Sequence, residues 1–228
     1  MKFLSILIIL LFTLNISYSQ YTNNSYNYYS VGIKMGPDYY KYTMNEDKDI
    51  SIDMKTNYSA GISGAYYISW LFELHASVYY SNRDFAIDWH YPNIGVGPND
   101  PEVLIRTEYT MQYISIPMEA RINALYLNWM KLSFGTGLLT DWRFKPQETQ
   151  YYNNGKIIVS EQYWQTKDFT RVLLAVPLSA NMKVYLGQHL SIEASAAYYF
   201  YLNRMQTDYF SKPANAFVPR LAFFYEWG

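Results

Sequence analysis

At 228 residues, with 50% apolar and 19% aromatic residues but no cysteine, the chain excludes a disulfide framework, thiolate metal sites and a lipid-attachment cysteine. Its 18 basic and 19 acidic residues nearly cancel, and dropping Lys2 leaves 17 against 19, so there is no electrostatic footprint for nucleic acid. A mean hydropathy of -0.20 is too low for a bundle of membrane helices, whereas 26 tyrosines suit a wall whose aromatics collect at membrane interfaces around a polar interior.

The first element is an export signal. Lys2 is the charged start, residues 3–14 are almost unbroken apolar, and Ser17-Tyr18-Ser19 offers a small-x-small cleavage site before Gln20. A run of about 12 apolar residues falls short of the roughly 20 that span a bilayer as a helix. The expected domains are a signal peptide at 1–19 and one barrel domain at 20–228.

After the signal, segments of about ten residues alternate strictly, apolar on one parity and polar or small on the other, some eight times. The first covers residues 29–36, with Tyr29, Val31, Ile33 and Met35 outward and Ser30, Gly32 and Lys34 inward. The second covers 57–67, with Tyr58, Ala60, Ile62 and Tyr66 outward. Ile68-Ser69-Trp70 turns it into a third, where Phe72, Leu74, Ala76, Val78 and Tyr80 oppose Glu73, His75, Ser77 and Tyr79. The fourth sets Ile114, Ile116, Met118, Ala120 and Ile122 against Ser115, Pro117, Glu119 and Arg121. Beyond a turn at 123–128, the fifth sets Leu132, Phe134, Thr136 and Leu138 against Lys131, Ser133, Gly135 and Gly137. The sixth runs from Val172 to Val184 with Arg171, Ser179, Asn181 and Lys183 inward, and Gly187-Gln188 leads to the seventh, where Leu190, Ile192, Ala194 and Tyr198 oppose Ser191, Glu193 and Ser195. The last holds Phe217, Leu221, Phe223, Tyr225 and Trp227 outward, with Arg220 and Glu226 inward.

A period of 2 throughout, with short connections after every second strand and long polar ones between, is the pattern of a transmembrane β-barrel. The expected fold is all-β, a closed antiparallel up-and-down barrel of eight strands with extracellular β-ribbon extensions. Asn154-Gly155 is a type I′ hairpin signal that would carry strands 5 and 6 beyond the membrane, and Phe85, Ile87, Trp89 and residues 104–111 suggest the same for strands 3 and 4. A ten-strand wall stays open if a loop hairpin enters it. The competing architecture is a secreted β-sandwich or tyrosine-rich adhesin, against which stands the nearly charge-free outward parity.

The signal ending before Gln20, the segment Tyr113-Ile114-Ser115-Ile116-Pro117-Met118-Glu119 and the strand Phe134-Gly135-Thr136-Gly137-Leu138 together resemble the PorT-like small outer-membrane β-barrels of Bacteroidetes. The resemblance covers essentially the whole mature chain. It implies an eight-stranded barrel in the outer membrane of a Gram-negative bacterium, mostly without assigned activity, in a family whose namesake takes part in type IX secretion. One departure is the ending Trp227-Gly228, which shifts the aromatic insertion signal by one residue.

Inward charges in a narrow barrel must be paired, so Lys34, Glu73, Glu119, Arg121, Glu193 and Arg220 are expected to form a lumen ion-pair network, with Glu119, Arg121, Glu193 and Arg220 reaching Glu73 or Lys34. Asp141, Arg143, Arg171, Lys131 and Lys183 share the parity. Trp70, Trp129 and Trp227 are expected at the periplasmic interface, Trp142 at the outer one, and Trp89 and Trp164 beyond it.

A catalytic reading would use His75 with Glu73 and Ser77, but residues two apart on a strand stand roughly 6.6 to 7 Å apart, and no catalytic residue is assigned. His90 and His189 fall at opposite ends, so no metal site is assigned either. Glu46, Asp47 and Asp49 lack the acid-glycine spacing of a calcium loop, and Gly95-Val96-Gly97-Pro98 is too short for a phosphate cradle. No cofactor is expected. The leading function is a structural or surface-interaction barrel with a side-chain-filled lumen. An accessory subunit of a transport or secretion complex, or a small-solute channel, is the alternative, and a barrel-embedded hydrolase the third. Expected partners are outer-membrane lipid and other outer-membrane or secretion-system proteins.

Overall fold

The computed structural model describes residues 28–43, 50–90, 102–160, 170–205 and 210–227. The expected signal peptide, the acidic stretch 46–49, Gly95 to Pro98 and Trp164 lie outside the described residues. Strict alternation with β-branched and aromatic residues on one face yields strands throughout. These are β1 (Tyr28–Lys41), β2 (Ile50–Met54), β3 (Asn57–Tyr67), β4 (Phe72–Asn82), β5 (Phe85–Trp89), β6 (Leu104–Tyr126), β7 (Met130–Tyr152), β8 (Ile157–Ser160), β9 (Val172–Tyr185), β10 (Leu190–Tyr201) and β11 (Asn215–Trp227).

Eight of them close a ring in the order β1, β3, β4, β6, β7, β9, β10, β11 and back to β1, each pair antiparallel. Closure removes every edge from the wall. The wall has eight strands, because β2, β5 and β8 pair outside the ring. Outward side chains such as Ile33, Phe223 and Phe134 are more than half exposed, whereas their neighbours Lys34, Ala222 and Ser133 are buried. A shift of one residue in register would turn the apolar set inward, so the alternation itself pins the pairing.

The two longest strands, β6 and β7, run 23 residues each and stay paired up to Leu104 and Tyr152. Their upper halves leave the ring and extend the same sheet as a ribbon in which β2, β5, β6, β7 and β8 pair in that order. Both ribbon hairpins expected from the sequence form, β7 with β8 across Asn154-Gly155 and β5 with the upper half of β6, and one feature differs. Pairing of β7 with β9 stops at Trp142 opposite Val172, and the ribbon partners of β7 are β6 and the separate strand β8.

Two turns also differ. The hairpin at Asn154-Gly155 is not type I′, since Gly155 (φ 81°) has the sole positive φ among the described residues. The Gly155 N–H donates to the Tyr152 carbonyl at 3.0 Å and the Tyr152 N–H to the Lys156 carbonyl at 3.0 Å, which describes a type I turn followed by a left-handed glycine. The turn expected at 123–128 is shorter, because β6 continues through a bulge between Asn123 and Leu125 to Tyr126.

Candidate functional site

The inner face of the ring is polar, and its charges meet. Lys34 Nζ on β1 lies 2.8 Å from Glu193 Oε1 on β10, and Glu193 Oε2 lies 3.1 Å from Arg121 Nη1 on β6. Arg121 Nε donates to Glu119 Oε2 at 3.0 Å, and its Nη1 stands 3.7 Å from Glu73 Oε1 on β4. Glu73 in turn accepts from Lys131 on β7. Five strands are thus cross-linked through one guanidinium whose fork shape serves several carboxylates at once. Gly135 makes room for it. A Cβ there would stand 2.8 Å from Arg121 Cγ and 2.7 Å from Ser179 Oγ, and Ser179 donates its hydroxyl to Glu119 at 2.8 Å. At Gly137 a Cβ would fall 1.9 Å from the Met118 carbonyl, so the glycine spacing of β7 also permits the close approach of β6.

Arg220 stands apart from this lattice. It faces Asp38 at 3.4 Å, donates to Ser59 at 3.2 Å and to Tyr199 at 2.8 Å, and lies 4.1 Å over the Tyr79 ring. Neither Glu73 nor Lys34 is its partner. The reason is register: Met35 pairs Leu221, so Arg220 sits beside the continuation of β1 past Pro37, where Asp38 keeps the inward parity. Higher still, Arg83 binds Asp141 and donates to Tyr40 at 3.0 Å and Tyr201 at 2.7 Å, with its guanidinium 4.2 Å over the Tyr113 ring. Sequence reasoning missed Asp38 and Arg83. Both continue the inward parity of their strands, which was the available signal.

Aromatic side chains close the two ends. At the short-turn end Tyr28 stacks on Tyr67 at 3.9 Å, and its hydroxyl lies 3.4 Å from that of Tyr126 and 3.5 Å from that of Tyr185. Lys183 donates to Tyr67 and pairs with Glu226 at 3.0 Å. At the long-loop end Phe85, Ile87, Tyr109, Met111 and Phe210 form a buried cluster with Tyr42 packed against it. The inner face of the ribbon therefore folds over the mouth of the barrel.

The sequence-suggested trio of Glu73, His75 and Ser77 does not assemble. His75 Nε2 lies 3.5 Å from Ser63 Oγ, Ser77 reaches it only through Ser63 at 2.6 Å, and Glu73 faces Arg121 and Lys131. Among the described residues no three His, Cys, Asp or Glu side chains converge on one point. Arg171 is exposed, not inward, with its guanidinium 5.2 Å over the outward ring of Trp142. It precedes β9, where the alternation has not yet begun. Trp70 and Trp129 occupy short turns, Trp227 ends β11, and Trp89 donates to Thr107 at 3.2 Å within the ribbon.

Residues 18–206 match the outer membrane protein beta-barrel domain family. The chain belongs to that family. No curated protein matches it. Among solved structures, outer membrane protein AlkL, determined by solid-state NMR in DMPC bilayers, is 11% identical over 90% of this chain and 93% of that one, with a TM-score of 0.53. OprG from Pseudomonas aeruginosa is 8% identical over 88% and 96% of the two chains (TM-score 0.49). Ail, the attachment invasion locus protein of Yersinia pestis, is 11% identical over 89% and 100% (TM-score 0.48). At 11% identity the likeness to AlkL is one of fold.

The protein is an outer-membrane β-barrel of a Gram-negative bacterium, so its outward apolar face meets lipid. Short turns then mark the periplasmic end and the ribbon the extracellular one. The outer face of the ribbon carries its own ion pairs. Arg106 reaches Asp53 at 2.9 Å, Asp88 at 2.8 Å and Glu108 at 3.1 Å, while Lys55 reaches Glu108 at 3.1 Å. Hydrogen bonding to Asp53 raises the Arg106 guanidinium above its usual value. Burial alone would raise the Glu108 carboxyl, but hydrogen bonds from Lys55 and Arg106 bring it below the usual carboxylate range. Glu148, on the inner face of the ribbon, is pushed up by burial.

Proposed function

We propose that this barrel works through its extracellular surface as a structural or surface-interaction protein, and that its lumen carries no solute. The carrying observation is the filled interior. An eight-stranded ring leaves room only for its own side chains, and here those side chains are ion-paired across five strands between aromatic clusters at both ends. The ribbon offers the contact surface. Its outer face is charged, and its edge strand β8 exposes Ile157 and Val159 to 58% and 55%, at the end of a sheet, where unpaired backbone groups invite a partner strand. That edge also favours the second reading, an accessory subunit of a transport or secretion complex, in keeping with a PorT-like barrel of Bacteroidetes. The hydrolase reading has little support, because Ser63, His75 and Ser77 lie buried inside the ring. Residues 1–19 act as the signal peptide and leave 20–228 as the barrel domain.

In planar bilayers the purified protein is expected to show no discrete conductance steps, and resolved channel openings would defeat the reading. Trp70, Trp129 and Trp227 belong at the periplasmic headgroups and Trp142 at the outer ones, because an indole has an apolar body and an N–H that needs a partner. Depth-dependent quenching of single-tryptophan variants in liposomes checks this. Trp70 and Trp129 in opposite leaflets would break the assignment.

A further inference from the structure

Among the described residues one strand glycine faces lipid. Gly32, Gly36, Gly61, Gly135 and Gly137 have inward parity, and a Cβ on any of them would fall 1.9 to 2.7 Å from an atom of a neighbouring strand. The protein itself explains why they are bare. Gly64 differs on both counts. It shares the outward parity of the exposed Ile62 on β3, and a Cβ there would meet the Ser30 carbonyl oxygen at 3.6 Å and Val31 Cγ2 at 3.8 Å, which is ordinary contact. A glycine inside a strand weakens it and typically marks a bulge, a bend or the close approach of a ligand or another backbone. No bulge is present, because Gly64 pairs with Val31 and with Ala76 in unbroken registers.

The surface around Gly64 is shaped for a ligand. Ala76 stands opposite it on β4, and Ala120 on β6 lies one row nearer the periplasmic turns, opposite Leu74. These small residues floor a groove of about 600 Å³ in the lipid-facing wall, with Val31 on one side, Met118 on the other, and Tyr29, Tyr66 and Trp227 toward the periplasmic end. Small-molecule sites usually measure about 300 to 1,000 Å³. An apolar hollow of this kind stays dry, and left unfilled its lining forfeits dispersion contacts. Elsewhere the wall projects Ile33, Phe134 and Phe223, each more than half exposed, which touch lipid without enclosing it.

We propose that the groove over Gly64, Ala76 and Ala120 binds one acyl chain of a phospholipid from the periplasmic leaflet and retains it while the lipids along the rest of the wall exchange. The groove is continuous with the lipid interface, so its occupant is hydrocarbon over most of its length. Its open end points at the aromatic rim, where Tyr29 stacks on Tyr66 at 5.0 Å beside the terminal Trp227, so the occupant also has a polar end at the headgroup level. A phospholipid chain meets both demands. The site is independent of the extracellular role, since it lies in the opposite half of the membrane.

The test takes the full folded protein from phosphatidylethanolamine bilayers into neutral detergent and counts the phospholipid retained per barrel by native mass spectrometry. Wild type is expected to hold one. The groove is filled in two independent ways, by G64L and by A76L/A120L, and each variant should retain none. A194L, which enlarges an exposed outward alanine on β10, should retain one as wild type does. Room for a Cβ at Gly64 favours folding of the first variant, heat-modifiable migration on gels confirms folding of all three, and the second groove variant keeps the test decisive if the first fails. Chain-labelled phosphatidylethanolamine followed by electron spin resonance in the bilayer should show a slowly exchanging component in wild type and A194L alone. Unchanged retention in a folded groove variant, equal loss in A194L, or wild type without bound lipid would overturn the proposal. So would a dimer that G64L dissolves, which would assign the groove to a second copy of the chain.

Discussion

Two arginines of this protein make nearly the same contacts in opposite surroundings. Arg121 reaches Glu73, Glu119 and Glu193 inside the ring, with 1% of its side chain exposed, and Arg106 reaches Asp53, Asp88 and Glu108 on the ribbon, with 29% exposed. Contact lists alone would rank them equal. The dielectric does not. In the lumen each carboxylate has lost its water and depends on the guanidinium, whereas on the ribbon solvent screens the same charges and replaces a missing partner. The inner arginine is therefore structural in a sense that the outer one is not.

Arg121→Leu should show the largest effect. Removing the guanidinium leaves Glu119 with only the Ser179 hydroxyl, and sets Glu73 and Glu193 to share Lys131 and Lys34. A loss of about 3–5 kcal/mol is expected, read from the urea midpoint of the lipid-folded protein, or as failure to insert. A loss below about 1 kcal/mol would show that water or a rearranged lysine substitutes in the lumen, and the contrast with Arg106 would collapse.

Arg220→Leu should come second. Its carboxylate partner Asp38 retains a hydrogen bond from Ser59 at 2.9 Å, so the expected loss is about 2–3 kcal/mol. Asp38→Asn in that background removes the stranded charge and should return part of the loss. In a double-mutant cycle the coupling is expected at about 0.5–3 kcal/mol. Strict additivity would mean that Arg220 acts through Tyr79 and Tyr199 packing alone.

Sequence parity made most of the ring legible. A period of 2 fixes which residues face in, and β3 was bounded at Asn57 and Tyr67 from alternation and turn residues alone. It also placed Lys34, Glu73, Glu119, Arg121 and Glu193 on one inner surface. Parity says nothing about depth, however. Arg220 and Glu73 share an inward direction but face different partners along the barrel axis, and only the registers of β11 on β1 and of β1 on β3 show this. Strand length was underestimated in β1. Pro37 hid the continuation of β1 to Lys41, and with it Asp38, although a barrel strand accommodates a proline that the ladder does not require as a donor. The ribbon and its two hairpins were anticipated, but the point where β7 parts from β9 was not. Which of two neighbours a long strand follows beyond the ring depends on non-local contacts that no local window contains. Arg171 was misassigned for a related reason, since alternation extrapolated one residue beyond a strand end carries no steric constraint.

Arg106→Gln should have the smallest effect and is the most informative about the ribbon. Its ion pairs are solvent-screened, so the unfolding midpoint of the barrel should change by less than about 1 kcal/mol. The local response to acid should differ. The folded Glu108 carboxyl lies below its usual value, so its contribution is fully present above the ordinary glutamate value of about 4.3 and is lost as pH falls through the lowered folded value. In wild type, acidification should loosen the ribbon while leaving the ring intact, and the emission of Trp89, which donates to Thr107 on β6, reports it in a single-tryptophan variant. In Arg106→Gln one of the two hydrogen bonds that depress Glu108 is gone, so its carboxyl should titrate nearer the ordinary value and the transition should move to higher pH. An unshifted transition would mean that the hydrogen bond from Lys55 alone holds the Glu108 carboxyl down. A barrel midpoint lowered by more than about 1 kcal/mol would mean that the exposed arginine is as structural as the buried one, and that solvent at the ribbon does not substitute for a lost charge.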